Sequence, residues 1–411
     1  MISRRSLLQT AAAGTLLTSF RRPAAAKTHT YSEVEAKIAR RDFRELTKED
    51  LPTPSLVVDQ DVLERNLRRM SGHLKQKSFN LRAHCKIHKS TDLAKRQIAL
   101  GAIGICCATI AESELMVNAG IPGVLWTCQP AGRHKIGRVV SLSKRSPDFA
   151  CVVDDPGIVD ALDEAAATVR TKQRVAVDVN VGIDRQGVND PDAALVLAQR
   201  VMGKKNLELI GLMGYSGAAS HTSGWEKRRE KSRNDLARLL ESVHLCKKSG
   251  VPVGIVTGGS TGTYNIDSEI EGMTELQAGS YVFMDTGYTK IGGQDGGEVY
   301  GDFGVSLTML TTVLSLRGPG RVAMDAGNKA ILKVTDRVKG PRDIKISLGG
   351  AEYGILSWSD GGPDLKLGQR VELIVSNLDV STNAFDRYYV AKGDNIVDVY
   401  PIMGRAGAVQ R

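Results

Sequence analysis

The chain of 411 residues predicts an α/β protein, a (β/α)8 barrel followed by a C-terminal antiparallel β domain. Three observations carry this. Between residues 81 and 285, eight short apolar runs alternate with segments of helical periodicity, the pattern of parallel strands joined by crossover helices. Eight such units close into a barrel whose reactive end lies at the carboxyl ends of its strands. After Asp285 the runs become short, alternating or β-branched and are broken by Gly, Pro and Asp, which is how an antiparallel β domain reads.

Ahead of the barrel, 55–59 reads as a strand and 61–77 as an amphipathic helix. The barrel strands are expected at 81–84, 103–108, 123–128, 149–153, 175–179, 207–213, 253–256 and 277–284, with helices at 112–119, 157–169, 193–201 and 226–248. The segment between the last two strands is short and irregular. The second domain is expected to hold strands at 305–315, 321–324, 345–348, 370–376 and 387–391. The chain thus divides into a leader (1–26), an extension contributing to the β domain (27–60), the barrel (61–300) and the C-terminal β domain (301–411), with a cleft between the two folded units facing the strand ends.

The leader opens with Ser3-Arg4-Arg5-Ser6-Leu7-Leu8, runs through a mildly apolar, alanine-rich stretch and ends in Ala24-Ala25-Ala26, small residues that suit a signal peptidase. It is a twin-arginine export signal, so the twin-arginine machinery is an expected partner and the periplasm the expected location. The apolar run 7–20 is shorter than the roughly 20 residues that span a bilayer, and no later segment approaches that length, so no membrane span is expected in the mature chain. Losing Arg4, Arg5, Arg21 and Arg22 lowers the formal net charge from +9 to +5. That balance is too mild, and its basic residues too scattered, to indicate nucleic acid. Six cysteines show neither metal-ligand spacing nor a dense disulfide pattern, and four fall in predicted strands, which indicates buried thiols.

The chemistry concentrates at two strand ends. His84-Cys85-Lys86-Ile87-His88-Lys89 places Lys86 at the end of the first barrel strand, where desolvation or neighbouring cations lower an amine's pKa and ready it for covalent chemistry with an aldehyde. The competing reading is a lysine that snorkels to the surface. After the seventh strand, Thr257-Gly258-Gly259-Ser260-Thr261-Gly262-Thr263 combines close-approach glycines, hydroxyls and a run of N–H groups, the makings of an anion nest. A plain β-to-α connection would also be glycine-rich, but barrels frequently bind phosphate after strands seven and eight.

These residues carry a resemblance. Thr53-Pro54-Ser55-Leu56-Val57-Val58-Asp59, Arg82-Ala83-His84-Cys85-Lys86-Ile87-His88-Lys89, Gly104 to Thr109, Gly258 to Thr263 and Glu275 to Asp285 resemble the segments of the D-threonine aldolase and D-serine dehydratase-like family, pyridoxal phosphate enzymes of the alanine racemase fold that include 3-hydroxy-D-aspartate aldolases. The similarity runs from about Thr53 to Pro401. It implies that Lys86 is the Schiff-base lysine and that Gly258, Gly259, Ser260, Thr261 and Gly262 hold the phosphate of pyridoxal phosphate. It further implies that Arg185, in Gly182-Ile183-Asp184-Arg185-Gln186-Gly187, borders the cofactor, that Tyr215 lies beside its ring, that Tyr281 belongs to the cofactor site, and that His221 removes the proton of a substrate β-hydroxyl. The residues alone also admit an Arg185 paired with Asp178 or Asp184, a packed core Tyr215 and a solvated His221.

The sequence departs from the family where a metal pair is expected. Val375-Ser376-Asn377-Leu378-Asp379-Val380-Ser381 keeps Asp379 but has Asn377 in place of a histidine, which disfavours zinc and leaves an amide and a carboxylate to hold Mg²⁺, Ca²⁺ or Mn²⁺ weakly. The family's Glu-His has become Glu352-Tyr353, which suggests a remodelled substrate pocket. The resemblance implies a lyase acting on a small D-3-hydroxy amino acid, by aldol cleavage or by dehydration of D-serine-type substrates. The alternatives are a metal-independent racemase and a low-turnover pyridoxal phosphate-binding protein. A homodimer is expected by analogy with the fold.

Overall fold

The computed structural model describes residues 29–405 apart from 342 and 360; the expected export signal lies outside the described residues. Strand β1 (Ser55–Asp59) leads into the helix Gln60–Lys77, whose first turn is capped by the Asp59 carboxylate accepting from the Val62 N–H at 3.1 Å. That helix buries Leu63, Leu67, Met70 and Leu74, one stripe at helical spacing.

Eight parallel strands then close into a barrel: β2 (Asn80–His84), β3 (Gly104–Cys107), β4 (Leu125–Trp126), β5 (Ala150–Val153), β6 (Gln173–Asp178), β7 (Leu207–Gly214), β8 (Ile255–Gly258) and β9 (Glu275–Leu276). The ring is sealed by β9 pairing with β2, Asn80 opposite Glu275 and Leu81 opposite Leu276. Period-two alternation sorts the strand residues. Cys106, Leu125, Ala150, Val152, Ala176, Ile210 and Met213 form a cluster of their own in the lumen, while Ile105, Cys107, Cys151, Val153, Val175 and Val177 join the larger core under the helices. The four expected crossover helices are Ile110–Asn118, Pro156–Val169, Pro191–Met202 and Trp225–Lys248, and Thr91–Ala99 and Arg133–Arg145 complete the outer layer on that side. Between β8 and β9 there is only the four-residue helix Tyr264–Asp267.

The eighth strand differs from the expected 277–284. Its paired residues are Glu275 and Leu276, and beyond Ala278, whose carbonyl accepts from the His84 N–H at 3.2 Å, the chain winds into a single 3-10 turn, Ser280–Val282. Tyr281, Val282, Phe283 and Met284 are all buried. A turn buried on every side presents the same continuous apolar run as a buried strand.

The remaining strands, β10 (Leu307–Leu316), β11 (Arg321–Met324), β12 (Arg337–Val338), β13 (Lys345–Leu348), β14 (Gly354–Ser357), β15 (Arg370–Ile374), β16 (Arg387–Lys392) and β17 (Asn395–Pro401), form a second sheet that takes in β1 between β10 and β16, in the order β13-β14-β11-β10-β1-β16-β17, with β15 on β10 and β12 on β15. All its pairings are antiparallel except β1 with β16. The sheet is welded to the barrel rim. The Tyr388 hydroxyl donates to the His88 carbonyl at 2.9 Å, the Met403 and Gly404 N–H groups donate to the Lys89 carbonyl at 3.1 Å each, and the Thr286 N–H donates to the Val375 carbonyl at 3.1 Å. All six cysteines are free thiols, five of them buried. No helix among the described residues is long and apolar enough to cross a membrane.

Candidate active site

A cleft of about 480 Å³ opens between the carboxyl ends of the barrel strands and the segment 376–379 of the β domain. Lys86 enters it from the 3-10 turn Cys85–Ile87 that follows β2, where the His84 ring nitrogen Nδ1 accepts from the Lys86 N–H at 3.3 Å. Its Nζ lies 3.5 Å from Asp379 Oδ2, and its side chain keeps 37 % of its exposure. The desolvated lysine of this turn is instead Lys89: burial pushes its pKa down, and its ammonium donates to the carbonyls of Lys86 and Asp379 (3.4 Å for the latter) and to Thr382 Oγ1 at 3.3 Å. Lys89 therefore ties the Lys86 turn to the β domain. Burial also drives the imidazoles of His84 and His88 toward the neutral state, with His88 at about 3.

Across the cleft, the loop after β8 presents Ser260 and Thr261. Gly259 sits at φ +74, and a Cβ there would lie 2.6 Å from Leu276 Cδ2. Gly262 packs so closely on the preceding loop that its Cβ would lie 2.1 Å from the Ser220 carbonyl oxygen. The loop hydroxyls are chained inward, Ser260 Oγ to Thr263 Oγ1 at 2.9 Å and Thr263 on to the buried Asp267 carboxylate. The N–H groups of Ser260, Thr261 and Gly262 donate to no group among the described residues. Unspent donors beside a lysine in one cleft fit a phosphate-bearing aldehyde. Gly258, Gly259 and Gly262 shape the turn from behind and do not line the cleft.

Arg185, Tyr215 and His221 line the same cleft. Asp178 does not pair with Arg185: its carboxylate accepts from Gln129 Nε2 at 2.9 Å and Gln186 Nε2 at 2.7 Å, and burial raises its pKa to about 7. His221 caps the short helix Gly217–Ser220 after β7, and its ring sits 4.5 Å from that of Tyr288, whose hydroxyl bonds Ser220 Oγ at 2.8 Å. Desolvation in the cleft, and then the Lys86 cation, lower the His221 pKa. Beneath this loop the fully buried Arg228 guanidinium donates to the carbonyls of Gly262 (2.8 Å), Thr222 (3.0 Å), Ile291 (2.6 Å) and Gly292 (2.9 Å), clamping the loops of His221 and Gly262 together.

The match to known proteins is extensive. Residues 58–287 match the profile of the alanine racemase N-terminal domain, and 306–391 that of a serine dehydratase domain. The chain is 32 % identical over 364 residues to the 3-hydroxy-D-aspartate aldolase of Paracoccus denitrificans (strain Pd 1222), covering 88 % of this chain and 94 % of that protein. It is 33 % identical over 359 residues to the D-threonine aldolase of an Arthrobacter species, covering 86 % and 92 %. The chain belongs to the D-threonine aldolase and D-serine dehydratase-like family. The crystal structure of D-threonine aldolase from Filomicrobium marinum superposes with a TM-score of 0.82 at 29 % identity, covering 88 % of this chain and 97 % of that one.

Three expectations drawn from this aldolase and dehydratase family are corrected by the geometry. The Tyr281 side chain does not line the cleft: the 3-10 turn sends it into the core, where its hydroxyl accepts from Gln97 Nε2 at 2.9 Å, while its N–H donates to Thr261 Oγ1 at 2.9 Å. Glu352 and Tyr353 lie outside the cleft, Glu352 paired with Lys329 and Tyr353 half exposed. Finally, the residues do not fit a divalent metal. Asn377 spends its side-chain oxygen on the Val380 N–H at 3.2 Å, capping the helix Leu378–Ser381, and no group of three His, Cys, Asp or Glu side chains among the described residues could hold an ion. The cleft also contains Asp285, Tyr288, Gln186 and Ser280, which had no separate signal in the sequence. Burial raises the Asp285 pKa to about 6.

Proposed function

We propose that this protein is a pyridoxal phosphate-dependent lyase that cleaves D-3-hydroxy amino acids between Cα and Cβ, releasing glycine and an aldehyde. The observation that carries this reading is the convergence of the Lys86 amine, the unspent N–H donors of Ser260 and Thr261, and the His221 imidazole on one cleft. Family relatives named as aldolases support the substrate class.

Lys86 would bind the cofactor through its Nζ, and Ser260, Thr261 and Gly262 would hold its phosphate, with Tyr215 and Arg185 flanking it. When bound, pyridoxal phosphate supplies the electron sink for the pair left on Cα as a bond to that carbon breaks. His221 takes the proton of the substrate β-hydroxyl, the loss that lets the Cα–Cβ bond open as the aldehyde forms. Its lowered pKa keeps the imidazole ready as an acceptor, and Tyr288 holds the ring in place. Lys89 anchors the Lys86 turn, so the amine is presented from a fixed backbone.

Purified enzyme supplied with pyridoxal phosphate and given D-threonine or D-phenylserine is expected to release glycine, read by mass spectrometry. A 2-oxo acid with ammonia would make it a dehydratase, and interconversion of D- and L-alanine without glycine would replace the lyase by a racemase. We also propose that the twin-arginine machinery exports the folded, cofactor-loaded protein to the periplasm, supported by Arg4-Arg5 and Ala24-Ala25-Ala26, and that it works there as a homodimer, an expectation resting on fold analogy. Arg4→Lys with Arg5→Lys is expected to retain the protein in the cytoplasm on cell fractionation, and sedimentation of the mature chain reads its oligomeric state.

A further inference from the structure

Every D-amino acid brings an α-carboxylate that needs one cation, so the supply of charge in the cleft limits what the rest of the substrate can carry. Once Lys86 is committed to the cofactor, Arg185 is the remaining Lys or Arg lining the cleft among the described residues. His84 and His221 line it too, but burial favours their neutral forms. Lys89 stands behind the wall with its ammonium spent on Lys86, Asp379 and Thr382.

The opposing charge is concentrated near the reacting atoms. Asp379 Oδ2 lies 3.5 Å from Lys86 Nζ, the atom whose place a substrate amine takes, and Asp379 Oδ1 is buried without a hydrogen-bond partner. Asp285 lines the same cleft, and the Asp379 charge helps to raise its pKa. Ser376, Asn377 and Leu378, which complete this wall, bring no positive charge. A second carboxylate on the substrate would enter this field without a counter-ion, whereas a methyl, a phenyl or an ammonium would not.

We infer that the cleft selects D-amino acids whose side chain is neutral or cationic and rejects those ending in a carboxylate, with Asp379 as the residue that sets the preference. This deepens the lyase reading by naming its substrate class: D-threonine- and D-phenylserine-like compounds, not 3-hydroxy-D-aspartate. It rests on that reading for the reaction and on the charge pattern alone for the binding.

The test is therefore made on binding first. Titrating the pyridoxal phosphate-loaded enzyme and following the cofactor absorbance, D-alanine and D-2,4-diaminobutyrate are expected to bind at least about tenfold tighter than D-aspartate, and Asp379→Asn is expected to narrow that gap at least about fivefold. In turnover, kcat/KM for D-threonine should exceed that for 3-hydroxy-D-aspartate by at least about tenfold. Equal binding of D-alanine and D-aspartate by the wild type, or an unchanged ratio in Asp379→Asn, overturns the inference. If the binding order holds and no 3-hydroxy substrate yields glycine, the lyase reading fails while the charge preference stands.

Discussion

The Nζ of Lys86 and the Oδ2 of Asp379 face each other at 3.5 Å across the seam between the barrel and the β domain. One partner is delivered by the turn after β2 and the other by the short helix Leu378–Ser381, and the Lys89 ammonium holds the two backbones together by donating to both carbonyls. Lys86 is thus positioned by both domains at once.

Removing that lysine separates chemistry from stability. Lys86 is more than one-third exposed, and an ion pair at that exposure contributes about 0–1 kcal/mol. Lys86→Ala is expected to melt within a few degrees of the wild type while losing at least about a thousandfold in kcat, because the covalent route to the cofactor is gone. Thermal melts beside steady-state kinetics check both halves.

Arg228 makes the opposite case. It never touches the cleft, yet its buried guanidinium donates to four carbonyls, those of Thr222 and Gly262 on the loops that carry His221 and the glycine-rich turn, and those of Ile291 and Gly292 on the segment that follows Tyr288. Arg228→Met is expected to cost roughly 3–5 kcal/mol in chemical denaturation, since those carbonyls lose their buried partner, and to weaken pyridoxal phosphate binding at least about tenfold.

The pH dependence of activity follows from His221. Its lowered pKa means the imidazole is still neutral where an ordinary histidine, at 6.5, is half protonated. The acidic limb of kcat/KM is expected below pH 6.5, and His221→Asn should lower kcat by about 10²–10⁴ while leaving the absorbance of the lysine-bound cofactor unchanged. A loss of that absorbance would make His221 structural.

Stability should vary with pH through two buried carboxyls. Asp178 sits at about 7 and Asp267 at about 6, against an ordinary value of 3.8, in both cases chiefly because burial disfavours the charged form. A raised pKa means that the folded state holds a proton the unfolded state has released. These groups therefore lower stability as pH rises from 3.8 through about 7 for Asp178 and about 6 for Asp267, and are flat above. Asp178→Asn removes the first contribution, at most about 1.4 kcal/mol per pH unit, so wild type and variant should show different slopes between pH 4 and 7 in urea unfolding. Parallel slopes would contradict the assignment.

What the sequence disclosed and what it withheld divide along physical lines. Lys86 and the loop from Gly258 to Thr263 were legible because strand ends followed by glycine and hydroxyl clusters are local signals. The family resemblance assigns Tyr281 to the cofactor site, and a motif match does not say which way a side chain points; the buried 3-10 turn sends it into the core. Strands β12, β14 and β17 have no counterpart among the expected strands, although Lys392-Gly393-Asp394-Asn395 marks a hairpin turn before β17. The Arg228 clamp was invisible for another reason. Its acceptors are backbone carbonyls, one of them 64 residues away, and no side-chain pattern encodes them.

The most direct measurement is borohydride reduction of the pyridoxal phosphate-loaded enzyme followed by peptide mass mapping. Lys89 donates its ammonium to the Lys86 carbonyl, so the two lysines lie side by side and the experiment distinguishes them residue by residue. The reduced cofactor is expected on Lys86 alone, with the label lost in Lys86→Ala. A label on Lys89 or on any other lysine, or an enzyme that retains pyridoxal phosphate without a reducible bond to Lys86, would contradict the assignment from which the proposed chemistry follows.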